Sequence, residues 1–170
     1  MRRADIDIEA RARAVRLLVL DVDGVLTDGR IFLPAAGDEI KCFHVRDGYG
    51  LVAVRRAGIE VAVISGRRSE AVTRRMGELG VRLLEQGIAD KLAAFEELLR
   101  RLDIEPGMVA CVGDDTPDVP LLERAGFAIA VADAHEDARA AAHYVTRAAG
   151  GCGAVREVCD LLLAARRGAR

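Results

Sequence analysis

The stretch "LLVLDVDGVLTDG" (residues 17–29) decides the fold. Its first four residues are branched and apolar, and then the chain crowds three carboxylates, Asp21, Asp23 and Asp28, into eight positions. A short continuous apolar run suits a strand covered on both faces, the pattern of an interior strand in a parallel sheet. Asp21 and Asp23 are two residues apart, so an extended chain presents both on one side. The stretch reads as a buried strand delivering two acids to the sheet's carboxyl edge.

Similar runs recur along the chain: "VAVI" (61–64), "VRLL" (81–84), "MVACV" (108–112) and "FAIAV" (127–131). Helical patterns separate them. Val72, Met76 and Leu79 repeat at helical spacing before Gly80. Leu92, Phe95, Leu99 and Leu102 form a second stripe, with its stop expected near Pro106. Val155, Val158, Cys159 and Leu162 form a third. Strand alternating with helix predicts an α/β fold, a Rossmann-like, doubly wound parallel sheet. One segment interrupts the alternation: "GRIFLPAAGDEIKCFHV" (29–45) carries two apolar pieces around a turn-rich centre, and it reads as a β-hairpin inserted after the first strand. The insertion is too short to be a cap domain. A single domain over 1–170 is expected, with "AARRGAR" (164–170) as a frayed tail.

Composition narrows the function. The 170 residues are 51% hydrophobic and 31% charged, with a net charge of −2. No basic patch and only 4% aromatics, without Trp, argue against nucleic acid. No apolar run is long enough to span a bilayer, and "MRRADIDIEARARAVR" lacks a signal-peptide core, so a cytoplasmic protein is expected. Cys42, Cys111, Cys152 and Cys159 have no metal-like spacing and read as reduced, mostly packed thiols.

Open α/β sheets bind ligands beyond the carboxyl ends of their strands. Asp21 and Asp23 follow the first strand. Ser65, Gly66, Arg67 and Arg68 follow the second, Lys91 opens the helix after the third, and Gly113, Asp114, Asp115 and Asp118 follow the fourth. Several carboxylates invite a hard divalent ion, for which Mg²⁺ with retained waters is suited. A hydroxyl, a lysine and loop amides beside it can hold a phosphate. One carboxylate can then attack phosphorus while another moves the proton.

These residues resemble, in order, the four motifs of the haloacid dehalogenase superfamily: "DVDGVLTDG", Ser65, Lys91 and "GDDTPD". Beyond them, "DEIKCFHVRDGYGL", "GIEVAVISGRRS", "GIADK", "VADAHEDARAAAHYVT" and "GGCGAVREVCDLLL" are similar to the capless 3-deoxy-D-manno-octulosonate 8-phosphate phosphatases. The resemblance implies a Mg²⁺-dependent phosphatase acting on a phosphorylated sugar acid in lipopolysaccharide precursor synthesis. Relatives acting on nine-carbon keto acid 9-phosphates look alike and stand as the alternative. By motif, Asp21 is the nucleophile and a metal ligand. Asp23 is the general acid/base and lends its backbone carbonyl to the metal, and Asp114 is the second carboxylate ligand. Ser65, Gly66 and Lys91 bind phosphate. Asp115 and Asp118 complete the metal's outer shell or orient Lys91. Arg67 is the leading contact for the substrate carboxylate, with Arg75, Arg46, Lys41 and His44 behind it. Asp28, with Gly29, shapes the loop into the hairpin and stands among the substrate-side candidates. The resemblance also implies a homotetramer whose hairpins close neighbouring sites, with "GGCG" (150–153) approaching a neighbour.

Plainer readings exist for each residue. Asp21 and Asp23 could cap a turn, Ser65 could cap the next helix, and "GGCG" could be a connector. Arg67, Arg68, Arg74, Arg75, Arg100 and Arg101 could form solvated faces. His44 reads as a strand-surface residue, and His135 and His143 as structural. Lys91 sits in a first helical turn, where the helix dipole disfavours a cation, so its place there suggests an anionic partner. An EF-hand is rejected because loop position 12 is Phe32. Two rivals have other functions: a signalling receiver domain, and a silent oligomerisation module.

Overall fold

A computed structural model describes residues 7–167. Its centre is β1 (Leu17–Leu20), each residue of which is at most 1% exposed. It pairs in parallel with β2 (Glu60–Ser65) on one side and β4 (Val109–Gly113) on the other. The sheet continues outward through β3 (Leu83–Gln86), β5 (Phe127–Ala130) and β6 (Tyr144–Val145), in the order β3-β2-β1-β4-β5-β6. The order reverses between β1 and β4, the switch point where doubly wound sheets open a ligand crevice. Receiver domains share the α/β plan but run 2-1-3-4-5, so this topology removes that rival.

Right-handed crossovers assign the helices to layers. The chain moves outward from β1 through α2 (Val45–Arg56) and α3 (Glu70–Glu78), and these lie on one face with α1 (Ile8–Ala14) and α7 (Ala154–Arg167). It travels the other way through α4 (Lys91–Leu102), α5 (Val119–Arg124) and α6 (Glu136–Ala141), which cover the opposite face. Phe95, Leu98 and Phe127 are among the largest fully buried side chains. The α2–α7 crossing is close because Gly50 has no side chain; a Cβ there would come within 3.0 Å of Cys159 Cβ. Asp47, 1% exposed, accepts from the Arg156 amide at 2.7 Å and so caps α7 from α2.

Several details differ from expectation. The third strand starts two residues late, because buried Val81 belongs to the loop leaving α3. β6 carries no long apolar run and was not anticipated. Helix α4 stops at Asp103, which turns left-handed (φ 53°), and Pro106 instead opens a 3-10 turn, Pro106–Met108. The expected hairpin is a loop held by one antiparallel bridge, Phe32 to Ile40. Its apolar residues find no core: Ile31, Phe32, Leu33 and Ile40 are all exposed. Of the supposed tail, Ala164–Arg167 continue α7, and 168–170 lie outside the described residues, as do 1–6 of the N-terminal stretch. All four cysteines are free, but only Cys111 and Cys159 are buried.

Candidate active site

β1 ends at Leu20, and the Asp21 amide still donates to Val112 of β4, so the acid is fixed by sheet register. The chain then turns sharply at Gly24 (φ 92°), which permits what a Cβ would forbid: a methyl there would sit 2.0 Å from Asp114 Oδ2. A second glycine backs the same turn. A Cβ on Gly150 would lie 1.6 Å from the Gly24 carbonyl oxygen, and the Gly151 amide donates to Val25 at 2.9 Å. Thus "GGCG" packs on this subunit's own acidic loop, held there by Asp133 and by the Asp47 cap on α7.

The acidic loop, the end of β2, the start of α4 and the loop after β4 enclose a cavity of about 710 Å³. Asp21, Asp23, Ser65, Gly66, Arg67, Lys91, Asp114, Asp115 and Asp118 all line it. Ser65 is 3% exposed, and its Oγ accepts from the Arg67 amide. It does not cap α3; Ser69 holds that position. Lys91 Nζ bridges Asp118 Oδ1 at 2.7 Å and Asp21 Oδ1 at 2.9 Å. Burial alone would lower the Lys91 pKa, but these two carboxylates reverse that and hold it above its ordinary value. Two anions thus offset the helix-dipole penalty.

The structure separates the two acids that the sequence left joined. Asp118, 2% exposed, orients Lys91 through Oδ1 and accepts the Asp114 and Asp115 amides through Oδ2. Asp115 is exposed and bonds the Thr116 amide at 2.7 Å, capping the 3-10 turn Thr116–Asp118. Asp28 does not line the cavity; its carboxylate accepts from the Arg30 amide and closes a turn. Nor do Arg46, Arg75 or His44 line it. His44 caps α2 rather than lying on a strand. His135 caps α6 and His143 accepts the Ala128 amide, both structural as expected. Arg75 is not simply solvated, since it lies over Gly48 and pairs with Glu78. Sequence reasoning missed the apolar wall of Ile88, Leu92 and Pro117, because nothing local marks which residues of the β3–α4 connection, the first turn of α4 and the loop after β4 face the cavity. It also missed Glu39, which joins Lys41 and Arg67 at the mouth.

The donor set suits a divalent cation. Asp21, Asp114 and Asp118 each bring a carboxylate oxygen within 4.8 Å of the others. Burial pushes Asp21 up to about 6, with repulsion from Asp118 added and Lys91 opposing. Burial, then Asp21 and Asp118, pushes Asp114 up to about 8. Asp114 Oδ1 is buried with no partner. Asp118 is already engaged by Lys91 and two amides, so Asp21 and Asp114 are the side chains left to ligate. The Asp23 side chain turns away to Lys41.

Acids at the switch point, a buried lysine between two of them and a serine lining the same cavity are the groups that phosphoryl transfer uses. The family model of haloacid dehalogenase-like hydrolases matches residues 83–157. The 3-deoxy-D-manno-octulosonate 8-phosphate phosphatase of Escherichia coli K12 is 53% identical over 160 residues, 94% of this chain and 85% of that protein. The crystal structure of the phosphatase of that name from Yersinia pestis has a TM-score of 0.93 at 49% identity, covering 95% of this chain and 88% of that one. That from Moraxella catarrhalis, in complex with magnesium, phosphate and the sugar acid, has a TM-score of 0.93 at 44% identity, covering 95% and 93%. The chain belongs to the 3-deoxy-D-manno-octulosonate 8-phosphate phosphatase family of these hydrolases, and it is a phosphoric monoester hydrolase.

Crowded carboxylates have a measurable consequence. Because Asp21 and Asp114 are raised from 3.8, the metal-free folded chain holds more protons than the unfolded chain from about pH 4 to about pH 8. Its stability therefore falls as pH rises through that window. In EDTA, Tm is expected to drop across it, and saturating Mg²⁺ to remove most of the drop. A metal-free Tm that climbs steadily from the lower to the upper limit would contradict this account.

Proposed function

We propose that this chain hydrolyses 3-deoxy-D-manno-octulosonate 8-phosphate to the free sugar acid and phosphate through an aspartyl-phosphate on Asp21. The observation that carries the reading is Asp21 itself: a carboxylate held by sheet register at the cavity floor, bonded through one oxygen to Lys91. Substrate phosphate would sit against Ser65, Gly66 and Lys91. The free oxygen of Asp21 attacks phosphorus in line, the bond from phosphorus to the sugar oxygen breaks, and Asp23 gives that oxygen its proton. Asp23 then takes a proton from water as its oxygen attacks phosphorus and displaces Asp21. Mg²⁺, held by Asp21, Asp114 and the Asp23 carbonyl, would offset the repulsion between carboxylate and phosphate. Asp118 fixes Lys91, so most of the catalysis is positioning and charge stabilisation.

The exposed Ile31, Phe32, Leu33 and Ile40 support an assembly of subunits, since a monomer gains nothing by exposing them. We read it as a homotetramer in which neighbouring loops close the open cavity. No helix among the described residues is long and apolar enough to cross a membrane. A cytoplasmic enzyme supplying a lipopolysaccharide precursor fits the reading.

Steady-state kinetics with Mg²⁺ on the eight-carbon 8-phosphate, the nine-carbon 9-phosphates and hexose 6-phosphates tests it. The eight-carbon ester should have the highest kcat/KM. Comparable low activity on all of them would overturn the substrate, and preference for a nine-carbon ester would replace it.

A further inference from the structure

Asp23 does not stand free at the cavity mouth. Lys41, where the inserted loop returns, donates to Asp23 Oδ1 at 2.5 Å, and Arg67 Nε lies 3.8 Å from Oδ2. The same two cations hold Glu39. Lys41 Nζ is 3.1 Å from Glu39 Oε1, and Arg67 Nη2 donates to Oε2 at 2.7 Å. The four side chains close a ring in which each cation touches both carboxylates. The Lys41 side chain is 1% exposed and that of Glu39 is 11% exposed, so this is not a solvated surface pair. Arg67, at 49%, is the member open to an entering ligand. Its hydrogen bond, opposed by burial and helped by Lys41 and Ser69, draws the Glu39 pKa down to about 2.

The ring is electrically balanced without a ligand. On the proposed reading, an ester with its phosphate against Ser65 and Lys91 would turn its leaving oxygen toward Asp23, where a lysine ammonium already occupies Oδ1. Glu39 meanwhile sits between a lysine and an arginine, the setting that a ligand carboxylate would seek. A second carboxylate entering the mouth competes with Glu39 for both cations. Once Lys41 swings onto it, Asp23 is released.

We infer that Lys41 and Glu39 form a specificity device in which the carboxylate of the ligand displaces Glu39 from Lys41 and Arg67 and thereby frees Asp23 for the leaving oxygen. Esters without a carboxylate meet an Asp23 that is still engaged. Both are positioning residues, since they act through Asp23. The inference rests on the keto acid phosphate reading and extends it from what is bound to how a wrong ester is refused.

The test compares two substrates in wild type and Lys41→Gln: glucose 6-phosphate, which has no carboxylate, and whichever keto acid phosphate the wild type turns over. Failure of the substrate reading shows in the wild-type rates alone, and failure of this inference shows only in the variant's ratio. Lys41→Gln is expected to raise kcat/KM for glucose 6-phosphate about fivefold and to lower it for the keto acid ester about tenfold. A merely structural lysine would move both in one direction by one factor, and that result overturns the inference. Glu39→Gln removes the competing carboxylate and should lower KM for the keto acid ester about threefold. A raised KM in that variant would equally overturn it.

Discussion

Asp21→Asn is expected to lose turnover by a factor on the order of 10⁴–10⁶, as removal of a catalytic nucleophile does elsewhere. The substitution keeps shape and changes chemistry. An amide oxygen at the same place cannot form the acyl phosphate, while Ser65, Gly66 and Lys91, the proposed phosphate contacts, stay in place with Asp118 behind Lys91. KM should therefore change far less than kcat. Stability should move the other way: removing one anion from a crowded cluster is expected to raise the metal-free Tm. Activity near wild type would overturn the mechanism, whatever the substrate.

Lys91→Met should be nearly as damaging but should destabilise. Lys91 Nζ is within 2.9 Å of both Asp21 and Asp118. Removing the cation leaves buried carboxylates uncompensated, which costs about 3–5 kcal/mol when one partner of a buried pair is taken away. The phosphate also loses its fixed positive charge, for a loss on the order of 10²–10³ in kcat. The metal-free Tm should fall, with Mg²⁺ restoring part of it. Opposite Tm shifts in Asp21→Asn and Lys91→Met would show that one electrostatic cluster serves both folding and catalysis. Shifts of the same sign would show that Lys91 does not offset Asp21.

Much of the site was legible because its parts follow strands. Asp21 comes one residue after a buried apolar run, and its alternation with Asp23 is local. Ser65 closes β2, and Lys91 stands in the first turn of α4 behind the cap of Asp90. Asp115 and Asp118 were not separable in one dimension, since both carry carboxylates in one short loop. Their difference is burial: Asp118 turns inward to Lys91 and two amides, whereas Asp115 turns outward to Thr116. The inserted loop keeps only one bridge of a hairpin, Phe32 to Ile40, because its exposed apolar residues carry strand periodicity without a sheet to pack on. β6 is invisible in the sequence because two half-buried residues leave no pattern.

The sequence by itself determined the parallel sheet, the place of the acids at its carboxyl edge and the motif set, because strand burial and strand-end position are local properties of the chain. Tertiary structure decided everything that depends on distant segments meeting. Its strand order put Asp21 beside Asp114 at the switch point and separated this fold from a receiver. It laid Gly150 on Gly24, hung α7 on Asp47, and closed Lys41, Glu39, Arg67 and Asp23 into one ring. Those four residues are spread over 45 positions of chain, from Asp23 to Arg67, and no periodicity relates them. Hydrogen bonds and charge pairing act through space, so only the folded chain could disclose them.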